Sequence, residues 1–213
     1  MGASQQKIFL YGASGHAKVV LDAMEKQGMY KVICLFDDDP TLNQRKVFGY
    51  IVQGGRQQLL CFGEQFEIKV GFVAIGNNDV RARIAEWLRQ AGYKLATVVH
   101  PAAQIGRGVS LGEGVVVMAG AVINSDTVVG DNVIINTGAT IDHDCLIAAA
   151  THVAPGATLC GNVKIGEGSL IGAGSTIIPG VKIGKHVTVG AGSTVIRDIP
   201  DTMLVTGTPA KSV

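Results

Sequence analysis

The sequence predicts two architectures in one chain: a small α/β domain with a parallel sheet over residues 1–100, then a parallel β-helix over residues 101–213 that ends in a short tail. Three observations predict this. All eleven Phe, Tyr and Trp residues lie at or before Tyr93, so the second half must pack with small and aliphatic side chains alone. From Ile105 to Val195, every sixth residue is Ile, Leu or Val without a break. Before that repeat, aliphatic strand-like runs alternate with amphipathic helical ones.

The first half reads in order. "KIFLY" is a strand over 7–11, followed by the glycine loop "GASGH" and a helix with Ala17, Val20, Leu21 and Met24 on one face. "YKVICLFDDD" is a second strand ending in aspartates. "IKVGFVAIGNN" is a third strand and loop. A helix follows, with Asn78 as its expected cap and Val80, Ile84, Trp87, Leu88 and Ala91 at helical spacing. "KLATVV" is a last short strand leading to His100-Pro101. The result is a truncated Rossmann-like domain.

Its loops carry the first chemical hints. Gly12 and Gly15 at a strand-to-helix turn can bare backbone N–H groups at a helix N-terminus, where phosphate binds, or can serve the turn alone. Asp37 and Asp38 close the second strand, where a carboxylate meets a ribose or base edge, although a solvated acidic turn would look the same. "AIGNN" adds a third loop at the same sheet edge, the usual ligand position in an open α/β sheet.

In the second half, sixteen successive inward positions keep the six-residue register, and the position four after each is small or thin, as at Thr127, Cys145, Ser169 and Ser193. Glycine often follows the aliphatic, as in "IGEGSL". Such a unit is a strand and a turn; three make an 18-residue triangular coil, and about five coils stack at about 4.8 Å. The narrow interior explains why aromatic residues are absent.

Composition limits the function. A net charge of +1 offers no basic field for nucleic acid or an anionic membrane. Neither a signal-peptide core nor a membrane-length apolar run is present. The four cysteines lack zinc spacing and read as buried free thiols of a reducing cytoplasm.

"TIDHDC", residues 140–145, sets His143 between Asp142 and Asp144, with His152 nine residues on. Ile141 and Cys145 keep the register, so the fold asks nothing of the three residues between them. Histidine titrates near neutrality and suits a general base, and a flanking carboxylate would fix its tautomer. Asp144 is the favoured partner, with Asp142 second; a backbone N–H near Gly161 could receive an oxyanion. The competing readings are an idle surface histidine and a Cys145 acyl-enzyme. His100 and His186 read as structural or solvated. A metal-dependent hydratase would need three converging histidines, and no close-spaced pair is offered, so no metal is expected.

With "YGASGH", "DD", "AIGNN" and the long hexapeptide array in this order, and "GTPAK" near the end, the chain resembles the bacterial nucleotide-sugar acetyltransferases. It is most similar to the PglD-like UDP-4-amino-sugar N-acetyltransferases of bacillosamine synthesis, with the NeuD-like sialic acid O-acetyltransferases sharing the layout. The resemblance implies a left-handed β-helix and acetyl-CoA as co-substrate. The acceptor it implies is a UDP-4-amino-4,6-dideoxy-sugar, or alternatively sialic acid or another nucleotide-linked amino sugar. It also implies that Ser14, Gly15 and His16 contact the UDP-sugar, that Asp37 and Asp38 hold the uridine and that Gly76 lines that pocket. His143 would be the base assisted by Asp144, and His152, Ala173 and Ala191 would lie along acetyl-CoA. The family commonly has Glu where this chain has Asp144, and Ala191 replaces a frequent glycine. His143 and His152 are half a coil apart, so one acetyl group meets both only across a subunit boundary. A cytoplasmic homotrimer is therefore expected.

Overall fold

The computed structural model describes residues 5–213, which separate into two compact units that divide between Val99 and His100.

In the first unit, β1 (Gln6–Tyr11), α1 (Gly15–Gln27) and β2 (Tyr30–Phe36) form a right-sized strand–helix–strand unit. A hairpin of β3 (Lys46–Val47) and β4 (Tyr50–Ile51) leads to α2 (Arg56–Gln65). Then come β5 (Val70–Val73), α3 (Asn78–Gln90) and β6 (Lys94–Leu95). The sheet order is β2-β1-β5-β6 and every pairing is parallel. Chain order therefore reverses beside β1, the position at which ligands bind in open α/β sheets.

The first three strands read from sequence are present, whereas "KLATVV" divides into Lys94–Leu95 and a separate two-residue strand, Val98–Val99. The predicted face of α1 is buried, with Ala17, Val20, Leu21 and Met24 all inside. Phe9 anchors the core, edge-to-face with Phe36 at 5.8 Å and with Tyr93 at 5.1 Å. A side chain at Gly71 would collide with the Phe9 ring, so that position on the neighbouring strand must be glycine.

Three local expectations need correction. Asn77, not Asn78, caps α3: its Oδ1 accepts from Val80 N at 3.0 Å, whereas Asn78 Oδ1 accepts from the Arg81 guanidinium at 2.8 Å. Ala91 lies beyond the helix and is exposed; Ile84 and Leu88 are buried and Val80 and Trp87 pack on the core as expected, and Arg81 and Ala85 join the buried face. Of the four free cysteines only Cys34 and Cys145 are buried, while Cys61 is exposed.

The second unit is a parallel β-solenoid. Two-residue strands pair with strands eighteen residues on, as in Ile123 with Ile141 and Ile141 with Leu159. One face is a six-stranded ladder from Gln104–Ile105 to Thr194–Val195; a second is five-stranded, from Ser110–Leu111 to Lys182–Ile183. The third runs through Val116–Val117, His152–Val153 and Thr188–Val189. The inward aliphatics from Val117 onward are buried, each contributing about 1.5–3 kcal/mol of apolar burial. Ile105 is the exception at 41% exposed, because no coil precedes it. At the other end, Leu204–Thr206 and Lys211–Ser212 pair antiparallel and close the stack, with "GTPAK" as their turn.

Each corner needs a left-handed residue three after the inward aliphatic. Glycine usually fills it, but Asp126, Asn132, Asp144 and Asn162 also do, since short polar side chains tolerate that region. The small position one further on does more than leave room. At several of these positions a hydroxyl or thiol donates to a carbonyl fifteen residues later: Thr127 to Asp142, Ser169 to Gly184, Ser175 to Gly190 and Cys145 to Cys160. These bonds satisfy corner carbonyls that the ladders leave unpaired.

Candidate active site

His143 stands on the corner between the six-stranded and five-stranded faces. Its backbone is fixed from three sides. Asp142 Oδ1 accepts from His143 N at 2.9 Å and from Asn124 Nδ2 at 3.0 Å. His143 O accepts from Asn162 N at 2.9 Å. Thr127, fully buried one coil earlier, donates to Asp142 O at 2.9 Å and accepts from Cys145 N at 3.2 Å, gripping both ends of the turn.

The ring is fixed as well. His143 Nδ1 lies 2.7 Å from Asp144 Oδ2, and the left-handed φ of 59° at Asp144 is what turns the carboxylate back onto its neighbour. That contact holds the proton on Nδ1 and leaves Nε2 as the free basic nitrogen. The Asp144 hydrogen bond, followed by the charge of Asp142, raises the imidazole pKa above its ordinary value. Asp142 itself is held below the usual carboxylate range by the Asn124 and His143 N–H bonds.

Gly161 sits against the ring. A methyl group there would come within 2.7 Å of both Cε1 and Nε2, so a bare glycine is what lets the imidazole lie as it does. Gly161 is itself buried under that ring. Beside the corner, Asn124, Thr140, Asp142, Thr158 and Cys160 line a shallow cavity of about 240 Å³.

Cys145 points away from this chemistry. It is fully buried, its thiol donates to Cys160 O at 3.2 Å, and burial raises its pKa. It occupies the place that Thr and Ser hold in other coils, so its role is packing.

The structure does not bring His152 to His143 within one chain. His152 is half-buried on the third face, its Nε2 3.0 Å from Asn136 Nδ2. Ala173 and Ala191 are exposed at successive levels of the corner between the third and six-stranded faces. His100 is buried where the repeat begins, its Nδ1 accepting from Ala102 N at 3.0 Å. No three His, Cys, Asp or Glu side chains converge among the described residues.

The first unit carries the other set in the loops that follow β1, β2 and β5. Gly12 needs to be glycine: its φ is 108°, and a Cβ would meet Ala74 O at 2.7 Å. Ser14 and Gly15 are exposed at the N-terminus of α1, which has no side-chain cap. His16 is largely buried, and burial together with the Arg81 charge lowers its pKa to about 4, so it is neutral at pH 7. Asp37 spends both oxygens on backbone, accepting from Ala13 N at 2.8 Å and Asp39 N at 2.9 Å, and so ties the first loop to the second. Asp38 accepts from Tyr11 Oη at 2.5 Å and from Arg56 Nε at 3.0 Å.

Two arginines escaped the sequence reading. Arg81 is 1% exposed and donates to Ile75 O at 3.2 Å and Gly76 O at 3.0 Å, so a buried cation shapes the "AIGNN" loop. Its helical spacing from Ile84 and Leu88 was the available signal. Arg56 begins α2, an element whose weak periodicity hid it.

Comparison with known proteins follows the same division. Residues 7–88 match the PglD N-terminal domain, and residues 108–143, 144–179 and 162–197 match the bacterial transferase hexapeptide (six repeats). The structure is similar to a perosamine N-acetyltransferase variant from Caulobacter crescentus, solved with CoA and GDP-perosamine. The identity is 42%, over 99% of this chain and 98% of that one, with a TM-score of 0.93. It is also similar to the acetyltransferase domain of PglB from Neisseria gonorrhoeae FA1090, at 41% identity over 98% and 100% of the two chains and a TM-score of 0.91. A UDP-N-acetylbacillosamine N-acetyltransferase of Bacillus subtilis is 34% identical over 121 residues, and the match spans only 52% of that relative's length.

Proposed function

The chain belongs to the hexapeptide-repeat nucleotide-sugar N-acetyltransferases, and from that premise we propose that it moves acetyl from acetyl-CoA to the 4-amino group of a nucleotide-linked 4-amino-4,6-dideoxy-sugar. The observation that carries the mechanism is His143: an exposed imidazole whose Nδ1 is held by Asp144 and whose Nε2 is free beside Gly161.

In this mechanism the neutral amine attacks the thioester carbonyl and the C–N bond forms. His143 Nε2 takes the proton that the nitrogen sheds, and Asp144 stabilises the imidazolium. The Gly161 N–H receives the oxyanion of the tetrahedral intermediate. The intermediate collapses, the C–S bond breaks, and the imidazolium returns the proton to the leaving CoA thiolate. Ser14, Gly15, His16, Asp37, Asp38 and Gly76 hold the nucleotide sugar; His152, Ala173 and Ala191 of a neighbouring copy line acetyl-CoA. The working assembly is a homotrimer.

The expected UDP-linked acceptor competes with a GDP-linked one, because one of the relatives matched over nearly its whole length was solved with GDP-perosamine. Release of CoA thiol, followed with UDP-4-amino sugars, GDP-4-amino sugars and free sialic acid, tests the reading. Turnover on a nucleotide-linked amino sugar, lost by at least about a hundredfold in His143→Ala, is expected. Turnover on sialic acid alone, or an unimpaired His143→Ala variant, would overturn it.

A further inference from the structure

We infer that Arg56 reads the nucleobase and that the base it selects is guanine; the inference rests on the nucleotide-sugar reading above. A cavity of about 380 Å³ opens beyond the end of β2, lined by Asp37, Asp38, Asn43, Gly54, Arg56 and Gln57 among others. Two aspartates at its wall repel phosphate, whereas the uncapped N-terminus of α1, tied to the same wall through Ala13 N and Asp37, attracts it. The base and ribose therefore belong in the acidic cavity and the phosphates at the glycine loop.

Within that cavity the aspartates are held in place by the protein. Both oxygens of Asp37 accept backbone N–H groups, and Asp38 is shared by Tyr11 and Arg56. Arg56 is the charged group with donors to spare. Its Nε and Nη2 both lie 3.0 Å from Asp38 Oδ2, which occupies one edge of the guanidinium. Its backbone N–H also reaches Asp38 Oδ1 at 3.3 Å, and its guanidinium carbon lies 5.8 Å from the centre of the Trp87 ring. The side chain nonetheless remains 51% exposed. The edge that Asp38 does not occupy, Nη1 and the outer N–H of Nη2, is a pair of parallel donors beside the Tyr11 hydroxyl.

Two parallel donors match two adjacent acceptors. Guanine presents O6 and N7 side by side; uracil alternates acceptor, donor, acceptor and has no such pair. The loop around Arg56 is built for this placement: a Cβ at Gly55 would come within 2.8 Å of Asp38 Oδ1, so the approach of Asp38 to the start of α2 requires glycine there.

Calorimetric titration of GDP and UDP into the whole protein, without acetyl-CoA, tests the assignment. GDP should bind more tightly than UDP, and Arg56→Gln should weaken GDP by roughly 10- to 100-fold while changing UDP little. Arg56→Lys, which keeps the charge and loses the fork, should fail to restore the preference. A loss of loop structure would weaken both nucleotides alike, so the GDP-to-UDP ratio isolates base recognition. Tighter binding of UDP, or a ratio unchanged in Arg56→Gln, overturns the inference and leaves the nucleotide-sugar reading intact. Binding of neither nucleotide overturns both.

Discussion

At the scale of single residues, the candidate base is defined by which carboxylate touches it. Asp142 and Asp144 flank His143 equally in sequence, but only Asp144 reaches the ring, and Asp142 instead holds the backbone N–H. The two should separate experimentally. His143 acts as a base only when neutral, so the acid limb of kcat/KM follows its pKa, which the Asp144 contact raises. Asp144→Asn removes the charge and replaces one carboxylate oxygen with an N–H donor, so the limb should move to lower pH, while the plateau falls by about 10- to 100-fold as the tautomer is lost. Asp142→Asn should move the limb less, since Asp142 acts on the ring through charge alone. A pH–rate profile of both variants decides it, and a limb unmoved in Asp144→Asn would separate Asp144 from the base.

At the scale of elements, the corner that carries His143 depends on a hydroxyl in the coil before it. Thr127 donates to Asp142 O and accepts from Cys145 N, so Thr127→Val keeps the shape and leaves both backbone groups unsatisfied. The expected cost is about 1–3 kcal/mol of stability, read by thermal unfolding, together with a fall in kcat as the turn relaxes. A variant of normal stability and normal kcat would show that the turn holds itself. Such bonds mark the boundary of what the sequence discloses. The hexad register is legible because an aliphatic must return to the axis every sixth residue, and His143 stands out because that register leaves it free. The loops of the first unit are not periodic. That Asn77 rather than Asn78 caps α3 and that Arg81 turns back under the "AIGNN" carbonyls depend on side-chain directions within one tight turn, and that Arg56 meets Asp38 depends on a contact eighteen residues apart in sequence. The start of α2 was hidden for a related reason: "QGGRQQLL" has two glycines and an indistinct apolar face, so nothing local announces a helix.

At the scale of the whole molecule, the proposed site needs more than one copy of the chain. His143 stands on the corner opposite the face that carries His152, and a triangular prism keeps a corner and its opposite face apart however its side chains rotate. Prisms packed side by side about a three-fold axis can set the corner of one against the face of the next. The arrangement makes a prediction that a single-chain site does not. His143→Ala and His152→Ala homotrimers should each be impaired, since every interface lacks one histidine. When the two variants are dissociated, mixed in equal amounts and reassembled, interfaces pairing the intact His143 of one chain with the intact His152 of the other reappear. With random mixing these make up about a quarter of all interfaces, and activity should return to about that fraction of the parent. If both histidines serve from the same chain, mixing creates no intact site and restores nothing. Sedimentation of the parent as a fully active monomer would remove the need for a shared site altogether.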